Sequence, residues 1–280
     1  LIFIFGIIDD IFNLRAIFKL LVQLIASFIV VFNGFRINQI LGWVLPLPIS
    51  YIVTFCWIIG IINAYNLIDG LDGLCGSLSF LAILTYGVLY LITGSEEYTL
   101  CFIIAACVLG FLCFNFPPAK IFMGDGGSQS LGFIIAVIPL FTSSNTYEYN
   151  KFLIMLVITS IPLLDTIAAI WRRIRDHRPI MSPDRAHLHH KLMNLGYSGK
   201  RILFIVVLIQ IVLCSTTISI LFTTTRNGSI LLLEAFTFLS IFFSTIHFFF
   251  FFVLRKINEL QEKNDSTSKE DSQVQEHSEQ

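Results

Sequence analysis

Four polar clusters interrupt a chain otherwise made of apolar runs, and their residue types suit binding of metal ions and phosphate groups. The first cluster is the pair Asp9 and Asp10, which closes the apolar segment LIFIFGII. Two carboxylates at a membrane edge can bind a divalent cation or orient a cationic group. A solvated helix end also accounts for such a pair, so this cluster taken alone is a weak signal.

The second cluster is NAYNLIDGLDGLCGS, where Asn66, Asp69 and Asp72 recur at a spacing of three. That spacing predicts a helical turn with all three side chains along one side. Because each Asp at the centre of a bilayer costs roughly 2.5 to 3.5 kcal/mol, the cluster is expected at the membrane interface. Its oxygen donors suit Mg²⁺, although a capped helix entry is the alternative. Three glycines are expected to let a ligand approach the backbone: Gly70, Gly73 and Gly76.

The third cluster is FNFPPAKIFMGDGGSQSLGF, in which Asp125 is surrounded by glycines and Ser128 is predicted to be the N-cap of the following helix. Backbone N–H groups in a glycine-rich turn that leads into a helix form an anion site. The adjacent carboxylate of Asp125 adds a metal ligand. The segment therefore predicts metal and phosphate binding together, although GDGGS alone is only moderately specific.

The fourth cluster is WRRIRDHRPIMSPDRAHLHHKL, rich in Arg and His. Arg can clamp phosphate oxygens, and His can donate hydrogen bonds or titrate near neutrality. Three arginines next to the apolar segment are interpreted as membrane anchors: Arg172, Arg173 and Arg175. Four later residues are candidates for a functional role: Arg185, His187, His189 and His190. Zinc is disfavoured, because no Cys or spaced carboxylate completes a tetrahedral set.

Asp165 stands apart, because it lies about six residues inside the apolar segment that ends at Trp171. An acid within a membrane span is a functional candidate by default. It could equally pair with a nearby Arg and fix helix packing. Both interpretations stay open at the level of the sequence.

The elements that position these clusters are predicted to be transmembrane helices. Of the 280 residues, 55% are hydrophobic and 13% charged, which excludes an ordinary soluble domain. Eight apolar segments approach the length that spans a bilayer: 17–33, 49–64, 77–93, 100–115, 129–143, 152–171, 202–222 and 230–254. The expected fold is thus an all-α polytopic membrane helical bundle of about eight complete transmembrane helices plus the end of another, LIFIFGII. Because the chain begins with Leu, residue 1 is expected to be a cut point with N-terminal helices missing.

Counting eight crossings places all four clusters on the same side of the membrane. Only Arg36, Lys151 and Arg226 fall on the other side, which leaves fifteen of the eighteen Lys and Arg on the cluster side. The positive-inside rule makes that side cytoplasmic. Residues 1–257 are therefore predicted to form the transmembrane domain, and the polar residues 258–280 a disordered cytoplasmic tail.

With these residues described, the chain resembles the polyprenyl-phosphate N-acetylhexosamine-1-phosphate transferases, glycosyltransferase family 4. The resemblance runs from Gly6 to about Gly196 and is carried by GIIDD, NAYNLIDGLDGL, FMGDGGSQSLGF, PLLDT and SPDRAHLHH in the family's order. DRAHLHH is similar to the WecA/TagO branch, which uses a simple aminosugar donor, and differs from the MraY branch. Members are larger helical bundles, which agrees with missing N-terminal helices.

The resemblance implies Mg²⁺-dependent transfer of an N-acetylhexosamine 1-phosphate, with GlcNAc-1-phosphate favoured, from a UDP-sugar to undecaprenyl or another polyprenyl phosphate. UMP is released, and the product starts a lipid-linked cell-envelope glycan such as lipopolysaccharide or teichoic acid. Mn²⁺ is the alternative metal. The implied partners are the two substrates, the lipid bilayer and a second copy in a homodimer, with no nucleic acid. The implied location is the bacterial inner membrane, with the active site on its cytoplasmic face.

The resemblance also assigns roles to individual residues. The implied metal ligands are Asp125, Asn66 and Asp69. The implied catalytic acids are Asp9, Asp10, Asp69 and Asp72, of which the first pair is assigned either to acceptor deprotonation or to metal binding. The implied substrate-binding residues are Asn66, Arg185, His187, His189 and His190, the last four at the donor's pyrophosphate and sugar.

The competing hypothesis is an ion-coupled secondary transporter that uses the interfacial and intramembrane acids as an ion path. Such a protein is expected to place acids facing each other near the midplane, with broken helices in matching halves. This chain has one acid within a span, Asp165, and the other clustered acids in predicted loops. The distribution of acids therefore favours the enzyme.

Overall fold

The structure is a computed structural model that describes the chain in five stretches: residues 1–12, 14–141, 145–179, 187–246 and 248–249, with residues 145–148 described by their backbone alone. Two predictions fall outside these stretches. One is the role of Arg185 at the donor, and the other is the boundary between a membrane domain ending at residue 257 and a disordered tail.

The described part of the chain is almost entirely helical, which suits lipid because a helix satisfies its backbone donors and acceptors within one segment. Its eleven α-helices are α1 Ile2–Phe12, α2 Ala16–Phe32, α3 Leu47–Ile68, α4 Leu74–Thr93, α5 Tyr98–Asn115, α6 Gly124–Val137, α7 Asn145–Ile158, α8 Ser160–Arg175, α9 Leu188–Asn194, α10 Gly199–Ser219 and α11 Thr225–Ile246. Two 3₁₀ turns extend α6 and α10: Ile138–Leu140 and Ile220–Phe222. A short antiparallel hairpin pairs β1 Gln39–Ile40 with β2 Trp43–Val44. The predicted all-α fold is confirmed.

Five helices of the described residues are long and apolar enough to cross a membrane: α3, α4, α5, α10 with its 3₁₀ extension, and α11. A sixth span results if α7 and α8, which meet at 71°, count as one. The two other predicted spans are shorter helices, because α2 has 17 residues and α6 has 14. The chain is therefore a multi-pass membrane protein, and its described residues contain five or six candidate spans, whereas the sequence predicts eight.

A proline explains the bend between α7 and α8. Pro162 has no N–H, so the carbonyl of Ile158 loses the partner that a continuous helix would provide. Gln210, fully buried on α10, donates from Nε2 to that carbonyl at 2.8 Å. A neighbouring helix thus satisfies the broken backbone, as a break within lipid requires.

Helices α3 and α4 form the centre of the bundle. Helix α3 packs against α2, α6 and α8, and α4 packs against α5 and α10. Helix α1 crosses α6 where Gly6 faces Gly126, and a Cβ at Gly6 would overlap the Cα of Gly126. This close crossing brings the acids at the end of α1 to the start of α6.

The chain divides into two compact units, Leu1–Leu239 and Ser240–Gln280. The predicted site residues all belong to the first unit. In the second unit, the rings of Phe242 and Phe243 meet edge to face on α11, with centroids 6.5 Å apart.

Candidate active site

The first group of site residues comes from α1, α2, α3 and α6 and centres on Asp125. Its carboxylate accepts hydrogen bonds from Lys19 Nζ at 2.8 Å and from Asn66 Nδ2 at 3.0 Å. Lys19 also forms an ion pair with Asp9, which is buried. Three residues that the sequence assigns to different clusters therefore meet, joined by a lysine that the sequence analysis did not assign to the site.

Asp10 caps α6 across 115 residues of sequence. Its two carboxylate oxygens accept from the backbone N–H of Asp125 at 2.9 Å and from that of Gly126 at 3.3 Å. The free N–H groups and the dipole of a helix N-terminus both favour a carboxylate there. Gly124, at φ +67°, permits the approach, because a Cβ at this residue would lie 2.6 Å from Asp10 Oδ2. Asp10 thus fixes the segment that carries Asp125.

The prediction that Ser128 caps the helix is wrong. Helix α6 begins at Gly124, so Ser128 lies within its first turns, and its hydroxyl donates to the Gly124 carbonyl at 2.9 Å. The same hydroxyl accepts from Asn66 Nδ2 at 3.0 Å and helps to hold that amide. Asp10 provides the cap instead, and it occupies two of the N–H groups from which an anion site was predicted.

A buried set of amides adjoins the Asp125 cluster. Gln23 Nε2 donates to Gln129 Oε1 at 3.1 Å, and Asn63 Nδ2 donates to Gln23 Oε1 at 2.8 Å. Lys19, Gln23 and Ser27 recur at a spacing of four, which places them on one face of α2. This polar stripe in an apolar helix is the sequence signal that could have assigned Lys19 and Gln23 to the site.

Asp69 follows the last residue of α3 and is half-buried among other acids. Burial, followed by the charges of Asp125 and Asp10, raises its pKa from 3.8 to about 6. Within the described ranges, the Asp69 carboxylate has no hydrogen bond or ion pair that would offset this charge. A carboxylate held among like charges favours the binding of a cation.

The prediction of a continuous helical turn through Asp72 is wrong. Helix α3 ends at Ile68, and the chain turns through Gly73, at φ +75°, into α4. Gly70 and Gly73 favour this turn, because glycine populates backbone conformations that end a helix. Asp72 Oδ2 accepts from the backbone N–H of Ala119 at 3.1 Å. This carboxylate therefore anchors the connection between α5 and α6.

A buried acid attaches the histidine segment, residues 187–190, to the bundle. Asp165, on α8, is 1% exposed, and its Oδ2 lies 2.8 Å from Nδ1 of the buried His187. Its Oδ1 accepts from the backbone N–H of Leu188 at 2.9 Å. Both interpretations of Asp165 find support: the contact with His187, a predicted site residue, links it to the candidate site, and Arg172 on the same helix adds a favourable charge interaction.

His189 packs on the turn that follows α3. A Cβ at Gly70 would lie 2.6 Å from His189 Nε2, so the ring rests against glycine backbone. Burial and then the neighbouring His190, whose ring centroid is 4.2 Å away, lower the pKa of His189 to about 4, which makes the ring neutral at pH 7. The ring is 2% exposed, and its two nitrogens have no hydrogen-bond partner among the described residues. The close approach predicted for a ligand at Gly70 is made here by a histidine.

The oxygen donors of Asp125, Asp69 and Asn66 fit a hard divalent cation. Mg²⁺ binds through one or two carboxylates and completes its coordination with water and substrate phosphates. Among the described residues, no group of three or more His, Cys, Asp and Glu side chains could hold a metal ion. The fit therefore rests on the uncompensated charge of Asp69 and on oxygen ligands that substrates would supply.

The structure joins four of the predicted residues directly. Asp9, Asp10, Asn66 and Asp125 are joined by hydrogen bonds and ion pairs, with Lys19 as the bridge. Asp69 interacts with Asp125 and Asp10 through its charge, and Asp72 accepts from the connection between α5 and α6. His189 packs on the α3–α4 turn with His190 beside it, and His187 contacts Asp165. The fold and the site define a polytopic helical membrane protein with a centre of acids, amides and histidines.

The chain belongs to glycosyl transferase family 4, whose sequence model matches residues 1–143. A protein of Bacillus subtilis named probable undecaprenyl-phosphate N-acetylglucosaminyl 1-phosphate transferase is 38% identical over 220 residues, 75% of this chain and 60% of its own. A Mycobacterium leprae protein named decaprenyl-phosphate N-acetylglucosaminephosphotransferase is 32% identical over 255 residues, 81% of this chain and 64% of its own. An Escherichia coli K12 protein named undecaprenyl-phosphate alpha-N-acetylglucosaminyl 1-phosphate transferase is 30% identical over 221 residues, 75% and 60% of the two chains. The chain thus spans less than two thirds of each of these relatives.

Proposed function

We propose that this protein transfers N-acetylglucosamine 1-phosphate from UDP-N-acetylglucosamine to undecaprenyl phosphate, with Mg²⁺ and with release of UMP. The observation that carries the proposal is the convergence of Asp125, Asn66, Lys19 and Asp9 at the end of the helices where His189 closes on the α3–α4 turn. The names of the relatives support the sugar phosphate and the polyprenyl acceptor. The UDP donor and Mg²⁺ follow from the family resemblance and from the chemistry of the donor atoms.

The proposed reaction is a direct phosphoryl transfer. An oxygen of the polyprenyl phosphate forms a bond to the phosphorus that carries the sugar, the bond from that phosphorus to the bridging oxygen breaks, and UMP leaves with the electron pair. A phosphomonoester with a second pKa of about 6 is mostly dianionic at pH 7, so the acceptor needs no general base. The protein mainly has to position two anionic substrates and neutralise their charge.

Asp125, Asn66 and Asp69 are the residues that would hold Mg²⁺. When bound, the ion supplies Lewis-acid neutralisation of the phosphate oxygens. Lys19 keeps Asp125 and Asp9 close together, and it adds a positive charge beside the place where the phosphates would meet. Asp10 holds the start of α6, which makes it a positioning residue for Asp125.

The histidine segment is proposed to bind the donor's pyrophosphate and sugar. His189 supports this role because both nitrogens of its buried ring lack partners among the described residues, so a ligand could satisfy them. His187, His190 and Arg185 are assigned to the same subsite by family resemblance. Asp72 is proposed to act through the α5–α6 connection that it anchors.

The distribution of Lys and Arg supports a site on the cytoplasmic face of the bacterial inner membrane, where nucleotide sugars are made. The product, a lipid-linked sugar pyrophosphate, would start a cell-envelope glycan. The transporter hypothesis is disfavoured, because both oxygens of the intramembrane acid Asp165 are engaged by His187 and Leu188 and are not open to a passing ion.

The test follows UMP release by the full-length protein in detergent with undecaprenyl phosphate, Mg²⁺ and UDP-N-acetylglucosamine. We expect release to require lipid and metal, to persist with Mn²⁺, and to fall by at least about 100-fold in Asp125→Asn. The matched control is Asp176→Asn, which removes an exposed acid paired with Arg175 and should keep wild-type activity. If no UDP-N-acetylhexosamine yields UMP, while liposomes show Asp165-dependent ion flux, the transporter hypothesis replaces this one.

A further inference from the structure

We infer that Asp165 is a positioning residue that sets the histidine segment against the α3–α4 turn and thereby shapes the donor side of the site. The inference rests on the proposed function and deepens it. Asp165 contacts no residue of the Asp125 cluster, and the proposed transfer assigns it no step. Among the described residues it forms hydrogen bonds with His187 and with the first residue of α9, Leu188, and it has a favourable charge interaction with Arg172.

The burial of Asp165 shows that its contacts are specific. The residue is 1% exposed and lies on α8 beyond the bend at Thr159. An acid inside a membrane span is costly and persists only where partners compensate it. Both carboxylate oxygens are engaged, one by a ring nitrogen at 2.8 Å and the other by a backbone N–H at 2.9 Å. Asp165 therefore holds in place the segment that follows α8.

The contact with His187 determines which of its ring nitrogens carries the proton. A carboxylate accepts hydrogen bonds, so Nδ1 facing Asp165 Oδ2 carries a proton, and Nε2 is the nitrogen left for a ligand. An amide at position 165 keeps the size of the side chain but can present an N–H to Nδ1. That change would favour the opposite tautomer and move the proton to Nε2.

The contact with Leu188 fixes the start of α9. This helix has seven residues, and His187 at its N-cap makes no side-chain capping bond. Such a short helix is marginal by itself, so the acceptor that Asp165 supplies to its first N–H contributes to its position. His189 is the second residue of the helix and rests on Gly70. Helix α8, which carries Asp165, also packs against α3, which leads into the α3–α4 turn. The position of the acid relative to that turn is therefore fixed by helix packing.

The test compares Asp165→Asn, His187→Ala and the double variant in the full-length protein, with UMP release as the assay. We expect Asp165→Asn to lower kcat by roughly 10- to 100-fold, as loss of a partner that orients a functional histidine does. KM for undecaprenyl phosphate should stay within about twofold, because the histidine segment is proposed to bind the donor and not the acceptor. The double variant should be no slower than His187→Ala, because the Asn carbonyl can still accept from the Leu188 N–H and the effect that remains acts through His187. Asp176→Asn serves as the control for removal of an acid at the end of α8.

Multiplicative losses in the double variant, or an unchanged kcat in Asp165→Asn, would overturn the inference while the wild type remains active. A wild type that releases no UMP would contradict the proposed function instead. If Asp165→Asn does not fold, ¹⁵N-histidine NMR of the wild type decides, with the His187 signal assigned by its loss in His187→Ala. A protonated Nδ1 supports the contact, and a deprotonated Nδ1 contradicts it.

Discussion

Replacing Lys19 with Met is expected to destabilise the protein, because Lys19 holds two acids together. Its ammonium pairs with Asp9, which is 3% exposed, and lies 2.8 Å from a carboxylate oxygen of Asp125. Met keeps a similar length and a good helix propensity, so the change mainly removes the charge. Removing one partner of a buried pair costs about 3 to 5 kcal/mol. Asp125 and Lys19 retain some exposure, so their pair adds at most about 1 kcal/mol.

The lower end of this range applies because the Lys19 side chain is 28% exposed, which gives an expected loss of about 3 kcal/mol. For chains of this size that loss corresponds to a fall in Tm of roughly 6 to 12 °C. The assay is thermal unfolding in one detergent, with Lys200→Met, an exposed lysine at the start of α10, as the control. Adding Mg²⁺ should raise the Tm of Lys19→Met by more than it raises the Tm of the wild type, because the bound cation would replace the positive charge of the missing ammonium. Equal Tm values for the two variants would refute the role of Lys19.

Three further outcomes are expected. Gln210→Leu leaves the Ile158 carbonyl without its 2.8 Å donor at the bend, so the free energy of unfolding should fall by about 1 to 3 kcal/mol, measured by Tm against Gln210→Asn. Gly70→Ala introduces a Cβ 2.6 Å from His189 Nε2, so kcat should fall with little change in Tm; unchanged UMP release would contradict this contact. Because the pKa of His189 is about 4 when folded and 6.5 when unfolded, the unfolded chain binds more protons between these pH values. Stability should therefore fall by about 3 kcal/mol as the pH drops from 6.5 to 4, and a chemical-denaturation series should lose this slope in His189→Phe.

The sequence predicted the membrane class, the helical fold and the grouping of the polar clusters on one side. These inferences depend on composition, on the length of apolar runs and on the distribution of Lys and Arg. All three can be read from the order of residues without knowledge of the tertiary structure. Alternating crossings predicted that Asp9, Asp10 and Asp125 lie on one side of the membrane, and the structure brings these three acids together. The three-residue spacing of Asn66, Asp69 and Asp72 gave a wrong prediction for Asp72, because glycines end the helix before this residue.

Residue types and hydrophobic lengths, by themselves, predicted that the polar residues share one side of the membrane and which chemistry they suit. Tertiary structure alone decided how they are paired: Lys19 between Asp9 and Asp125, Asp10 on the start of α6, and Asp165 on His187. Partners such as Lys19 and Asp125 are 106 residues apart, and no local period encodes their contact. The crossing of α1 and α6 at their glycines and the bend before α8 set these distances, because packing of whole helices fixes where each side chain ends.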